Sequence, residues 1–187
     1  MSETKAISVL GVCGSLRRES WNKKLLNACV GLVPEGSTLT IHPIDEVPLF
    51  NGDVYEKGFP EPVQKLRAAI AAADALLFVT PEYNYSIPGV LKNAMDWVSR
   101  PPSQPFAGKP VATLGASPGL HGTVRGQTHT REVCMGLGMI VSPKPEVYVG
   151  RVAEKFNAEG ELTDADTQKF VREALANLVS LARKLKG

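Results

Sequence analysis

Short apolar runs at residues 7–12, 75–80 and 110–116, a weaker one through Leu39 and Ile41, and a last one in two pieces at 139–141 and 146–149 alternate with segments of helical periodicity. No other feature of the chain restricts its fold as much. A run that is apolar at consecutive positions must be covered on both faces, and strands that alternate with helices obtain that cover by forming a parallel sheet between two helical layers. The helical segments carry their own stripes: Leu25, Leu26, Cys29 and Leu32, stopped by Pro34-Glu35-Gly36; Val63, Leu66, Ile70 and Ala73, with Pro62 in the first turn; and Leu91, Ala94, Met95 and Val98 within 90–98, ended by Pro101-Pro102. A fourth helix is expected over 126–137, and a closing helix with Thr163 as N-cap, Asp166 three residues later, and the stripe Val171, Leu175, Leu178, Leu181, Ala182 and Leu185. Five strands and five helices in alternation predict an α/β fold, a doubly wound five-stranded parallel sheet with helices on both faces. With 187 residues, 43% of them hydrophobic, the chain is expected to form one domain over 1–187.

Composition narrows the partners. The 21 basic and 19 acidic residues are interspersed and leave a net charge of +2, without the footprint of a nucleic-acid or anionic-membrane binder. Cys13, Cys29 and Cys134 have no CxxC spacing and read as buried small residues, and His42, His121 and His129 fall in no ligand spacing, so no metal is expected. The opening MSETKAISVL lacks a signal-peptide apolar core, and no stretch is long and apolar enough to span a bilayer; a cytoplasmic protein with a small-molecule partner is the expectation. Residues 44–60 carry two prolines, two glycines and no periodicity, and are expected to form a long loop able to serve as a lid.

In a doubly wound sheet the ligand lies outside the carboxyl ends of the strands, so three loops matter. The first, GSLRRESWN (14–22), combines Ser20 as an N-cap, the donors Ser15 and Asn22, and Arg17, whose planar fork holds two phosphate oxygens at once. GxxxxGK[ST] and GxGxxG are both absent from it, which points to a terminal phosphate monoester rather than a triphosphate or a dinucleotide. Arg18 reads as a solvated surface charge. The second loop, PEYNYSIPG (81–89), offers Tyr83 and Tyr85 to a flat ring and Glu82, Asn84 and main-chain amides to its polar edge; the same residues also suit a tyrosine-rich turn with Asn84 in the left-handed conformation. The third, SPGLHG (117–122), has small residues that let a backbone approach a ring, and His121 within reach of it.

GSLRRESWN resembles the GSxRxxSxN phosphate motif, and PEYNYSIPGVLKNAMDW the PEYNxSxPGxLKNAxDW signature, of the NADPH-dependent FMN reductase family, the chromate and quinone reductase or azoreductase-like group of the flavodoxin-like fold. The resemblance implies FMN as cofactor, NADPH or NADH as donor, and quinones, chromate, azo compounds or free flavin as acceptors reduced by ping-pong hydride transfer. It implies that Ser15, Arg17, Ser20 and Asn22 hold the FMN phosphate, and that Pro81, Glu82, Tyr83 and Asn84 line the isoalloxazine with Ser117 nearby. A homodimer or homotetramer is implied, with Lys92, Asn93, Asp96 and Trp97 near the interface, although Trp97 equally suits the core of one subunit. No acid, base or nucleophile is required, so no catalytic residue is named. Arg100 and Arg125 are either attractors of an anionic acceptor or ordinary surface arginines. The alternative function is a flavodoxin-type carrier exchanging single electrons with protein partners.

Overall fold

In the computed structural model, which describes residues 6–186, the apolar runs lie side by side as parallel strands. β1 (Ile7–Cys13), β2 (Ser37–Ile41), β3 (Ala75–Val79) and β4 (Pro110–Ala116) are continuous, while β5 (Ile140–Val141) and β6 (Val147–Val149) share the fifth position, both paired with β4. That strand is broken because residues 142–146 contain two prolines, which cannot donate to a ladder. The strand order β2-β1-β3-β4-β5 places β2 on one side of β1 and β3 on the other. Strand order therefore reverses between β1 and β3, the position at whose carboxyl ends a doubly wound sheet takes its ligand.

Among the described residues the helices are α1 (Trp21–Val30), the single turn α2 (Gly52–Tyr55), α3 (Glu61–Ala72), α4 (Gly89–Val98), α5 (Val124–Gly136) and α6 (Ala165–Lys186). Alternation along the strands sorts them into two layers. Ala75, Leu77 and Val79 of β3 meet Leu25, Leu26 and Cys29 of α1 and Val171, Leu175 and Leu178 of α6. Leu76 and Phe78, on the opposite face, meet Leu66 and Ile70 of α3, Leu91 and Met95 of α4 and Cys134 of α5. Each large apolar side chain fully buried in these layers contributes about 1.5–3 kcal/mol.

Several boundaries differ from the sequence expectation. α5 begins at Val124 rather than Gly126. The cap of α6 is Asp164, not Thr163: Asp164 Oδ1 accepts from the Thr167 amide at 2.8 Å and its hydroxyl at 2.5 Å, bonds that the carboxylate's charge strengthens as a neutral hydroxyl could not. In the α6 stripe Ala174 and Val179 are buried, whereas Leu181 is half-buried and Leu185 is 50% exposed. Charge anchors that last turn instead, with Lys186 Nζ 2.5 Å from Asp74 Oδ1. Residues 44–60 contain α2 and are fastened to α4: Asn93 Oδ1 accepts from the Phe50 amide at 2.7 Å, and Asn93 Nδ2 and Trp97 Nε1 both donate to the Pro48 carbonyl at 2.8 Å. Phe50 lies edge-on to Trp97, with ring centroids 4.9 Å apart.

Asp164 provides a test of the α6 cap. The Thr167 hydroxyl, then Lys155 and the Thr167 amide, hold its carboxyl down at about 2. Replacing Asp164 by alanine is expected to lower stability at neutral pH by about 1 kcal/mol in urea denaturation. A depressed folded-state value makes this contribution complete above about pH 4 and lost as pH falls toward the folded value, so wild type and variant should converge near pH 2.

Candidate cofactor-binding site

The loops after β1, β3 and β4 meet where the strand order reverses. Gly14 is the point of contact between the first two: its amide donates to the Val79 carbonyl at 2.9 Å, and a Cβ there would stand 2.8 Å from Thr80 Oγ1. A side chain would push the first loop off the second. Ser15 follows, 3% exposed, and residues 16–19 then turn outward before Ser20 caps α1, its hydroxyl accepting from the Asn22 amide at 3.2 Å. The first turn of α1 holds no acidic residue, so its free amides and positive dipole end are left for an anion. Arg18 lies 3.8 Å from Glu19, which also lies 3.7 Å from Lys24. Arg17 is exposed and meets no carboxylate among the described residues.

Asn22 is placed differently from the free phosphate donor suggested by its motif. It is 3% exposed; its Nδ2 donates to the Ala116 carbonyl at 2.9 Å, and its Oδ1 accepts from the Ala116 amide at 2.8 Å. The side chain completes the hydrogen bonding of the last residue of β4 and bolts the first loop to the third. Only one of its amide hydrogens is left for a ligand.

In the second loop Pro81 is buried, and residues 83–86 form a turn closed by two main-chain bonds of 3.1 and 3.0 Å between Tyr83 and Ser86. Asn84 takes the left-handed conformation at φ +48°, and so does Tyr85 at φ +68°. Both signs together define a type I′ turn, and a tyrosine held there stores strain of order 1–3 kcal/mol. Tyr83 and Tyr85 are 50% and 66% exposed. Glu82 directs its carboxylate onto the start of α5, accepting from the Arg125 and Gly126 amides at 2.9 and 3.1 Å. In the third loop the Ser117 amide donates to the Val149 carbonyl at 2.9 Å and its hydroxyl to the Gly122 carbonyl at 2.7 Å, which closes that loop on itself.

Other residues singled out in the sequence have local partners. Arg100 Nε donates to the Asp96 carbonyl at 3.0 Å and its guanidinium lies over Phe50, so it caps the end of α4. Arg125 is shared between Glu82, at 3.5 Å, and the face of Tyr85. Lys92 pairs with Asp96 one turn along α4, and Trp97 is fully buried within the chain itself. Cys13, Cys29 and Cys134 are buried and free, and burial pushes the Cys29 and Cys134 thiols up to about 12. Among the described residues no His/Cys/Asp/Glu group is arranged for a metal, and no helix is long and apolar enough to cross a membrane. The contacts made by Asn22 and by Glu82 join residues 94 and 43 positions apart, and nothing in the local pattern signals them.

This strand order, with an anion-ready helix start and an aromatic turn at its reversal, defines the flavodoxin-like class of mononucleotide-binding folds. The family model for NADPH-dependent FMN reductase matches residues 7–154, and the chain belongs to that family. It is 49% identical to an NAD(P)H-dependent FMN reductase of Pseudomonas aeruginosa, over 97% of this chain and 98% of that one. A 2-hydroxy-1,4-benzoquinone reductase of Burkholderia sp is 42% identical over 89% and 91% of the two chains. The solved structure of FerB, a flavoenzyme NAD(P)H:(acceptor) oxidoreductase from Paracoccus denitrificans, superposes with a TM-score of 0.88 at 35% identity, covering 96% of this chain and 98% of its own.

Replacing Asn22 by alanine leaves both main-chain groups of Ala116 without their partner in a buried place. The expected loss is about 1–3 kcal/mol of stability, read by urea denaturation of the protein without added flavin. An unchanged unfolding midpoint would show that the clamp does not hold the two loops together.

Proposed function

We propose that this chain holds FMN where its strand order reverses and uses NADPH or NADH to reduce quinones and other small acceptors, chromate, azo compounds and free flavin among them, in a ping-pong cycle. The reading is carried by the start of α1: an acid-free helix N-terminus, capped by Ser20 and flanked by Ser15 and by Arg17, unpaired among the described residues, next to an aromatic turn. Hydroxyls, main-chain amides and a planar guanidinium are the donor set that a phosphate monoester takes, which fits FMN. In this reading Ser15, Arg17, Ser20 and the remaining amide hydrogen of Asn22 hold the phosphate. Pro81, Glu82, Tyr83, Asn84 and Ser117 border the ring, the side chains of Glu82 and Ser117 being occupied in holding their loops.

When bound, FMN supplies the ring that accepts and donates the hydride. The work of the chain is to fix one face of that ring, aim loop amides at the edge where negative charge grows, and leave the other face free for donor and acceptor in turn. The relatives support the nature of both partners, since one carries the name of an FMN reductase and another that of a benzoquinone reductase. Assembly as a homodimer or homotetramer belongs to the same proposal and rests on the family resemblance.

The test is an anaerobic visible spectrum of the FMN-loaded protein, taken before and after NADPH and again after a quinone. Flavin bands that bleach with NADPH and return with quinone are expected; bands that NADPH leaves unchanged would favour the single-electron carrier. Arg17→Ala removes a charge-assisted contact worth about 1.5–3 kcal/mol, so FMN affinity should fall about 10–100-fold in a fluorescence titration. Because Arg17 is exposed and without an ion-pair partner among the described residues, thermal stability of the flavin-free protein should stay unchanged.

A further inference from the structure

Glu82 belongs to the second loop, yet its carboxylate is committed to a different element. One oxygen accepts from two amides in the first turn of α5, those of Arg125 and Gly126, and the other lies 3.5 Å from the Arg125 guanidinium. The side chain is 15% exposed. Gly126 permits the approach, because a Cβ there would stand 3.1 Å from both Glu82 Cα and the Pro81 carbonyl oxygen. One turn further along α5, His129 Nδ1 is hydrogen-bonded to Ser86 Oγ at 2.9 Å, and the Arg125 guanidinium lies 4.3 Å from the centre of the Tyr85 ring. A single face of α5 thus grips the strained turn that carries Tyr83, Asn84 and Tyr85. The same helix directly follows the third loop.

We propose that Glu82 is a positioning residue that acts on the bound flavin through α5, both by joining the second and third loops into one unit and by offsetting most of the positive charge that α5 and Arg125 bring to the site. The inference rests on the reading that FMN binds there. A helix N-terminus carries about half a positive charge, and Arg125 adds a full one close to the Glu82 carboxylate. Glu82 is largely buried, so its charge acts on a neighbouring group with little screening, while water screens the 45% exposed Arg125 in part. With Glu82 ionised most of this positive charge is offset and about half a charge remains; with its charge removed, a larger positive field is left that favours the more negatively charged, reduced state of the cofactor. Removing Arg125 has the opposite sign.

The two roles separate by substitution in the FMN-loaded protein. In Glu82→Gln the amide oxygen still accepts from the α5 amides while the charge is gone. FMN affinity should then stay within about threefold of wild type, less than the tenfold that ~1.4 kcal/mol produces, and the midpoint potential of the bound flavin should rise. Arg125→Ala should lower that potential. Glu82→Ala abolishes the tie as well, and FMN affinity should fall by about tenfold or more, the effect of ~1.4 kcal/mol or more. Spectroelectrochemical titration and flavin fluorescence read these outcomes without turnover. A Glu82→Gln potential equal to that of wild type, or shifts of the same sign in Glu82→Gln and Arg125→Ala, would overturn the electrostatic role. Full FMN affinity in Glu82→Ala would overturn the joining role. Failure of the wild type itself to retain FMN would instead overturn the underlying reading, and the inference with it.

Discussion

Complete burial of the central strands on both faces is the constraint from which the rest of the structure follows. All of β3 and β4 is buried, and β3 is sandwiched between α1 and α6 on one side and α3, α4 and α5 on the other. A sheet covered in this way can connect parallel neighbours only through crossovers over its faces, which brings every carboxyl end to one edge. At the carboxyl ends of β1 and β3, where the crossovers part, main-chain amides of the second loop and the start of α1 come together. The site is therefore a by-product of how the core is covered.

Loops that meet at a strand-order reversal need something to hold them at a set distance, and here side chains bonded to main chain do it. Asn22 satisfies Ala116 between the first and third loops, Glu82 satisfies the start of α5 from the second, and Ser117 closes the third. Polar residues of the motifs thus fall into two groups. Those that are buried or half-buried with partners set the shape; Arg17 and the two tyrosines of the turn stay exposed at the rim. Left-handed Tyr85 fits the same picture, its strain offset by the turn's hydrogen bonds, the Ser86–His129 contact and the stacked Arg125.

Features whose cause is local were legible in the sequence. Residues 75–80 read as a buried strand because nothing polar interrupts them before Thr80, and Ser20 reads as a cap because its partner is two residues away. Even the broken fifth strand shows as two separate apolar pieces, at 139–141 and 146–149. Features that turn on a choice between neighbouring candidates, or on a distant partner, were not. Thr163 and Asp164 are adjacent and both able to cap; the chain chose the carboxylate, which accepts from Thr167 twice and also reaches Lys155 at 2.9 Å. Residues 44–60, without periodicity, gave no sign that Asn93 and Trp97 would anchor them from positions 45 and 49 residues on.

The order of elements, the two-sided core, the capped start of α1 and the family signatures were determined by sequence alone, because each rests on periodicity or on contacts within a turn or two. Which polar side chains point into the site and which tie it together was decided only in the folded chain. Asn22, Glu82 and Arg100 carry the same chemical groups whether they face a ligand or the main chain; the nearest unsatisfied amide or carbonyl settles the matter, and its position exists only once the strands have assembled.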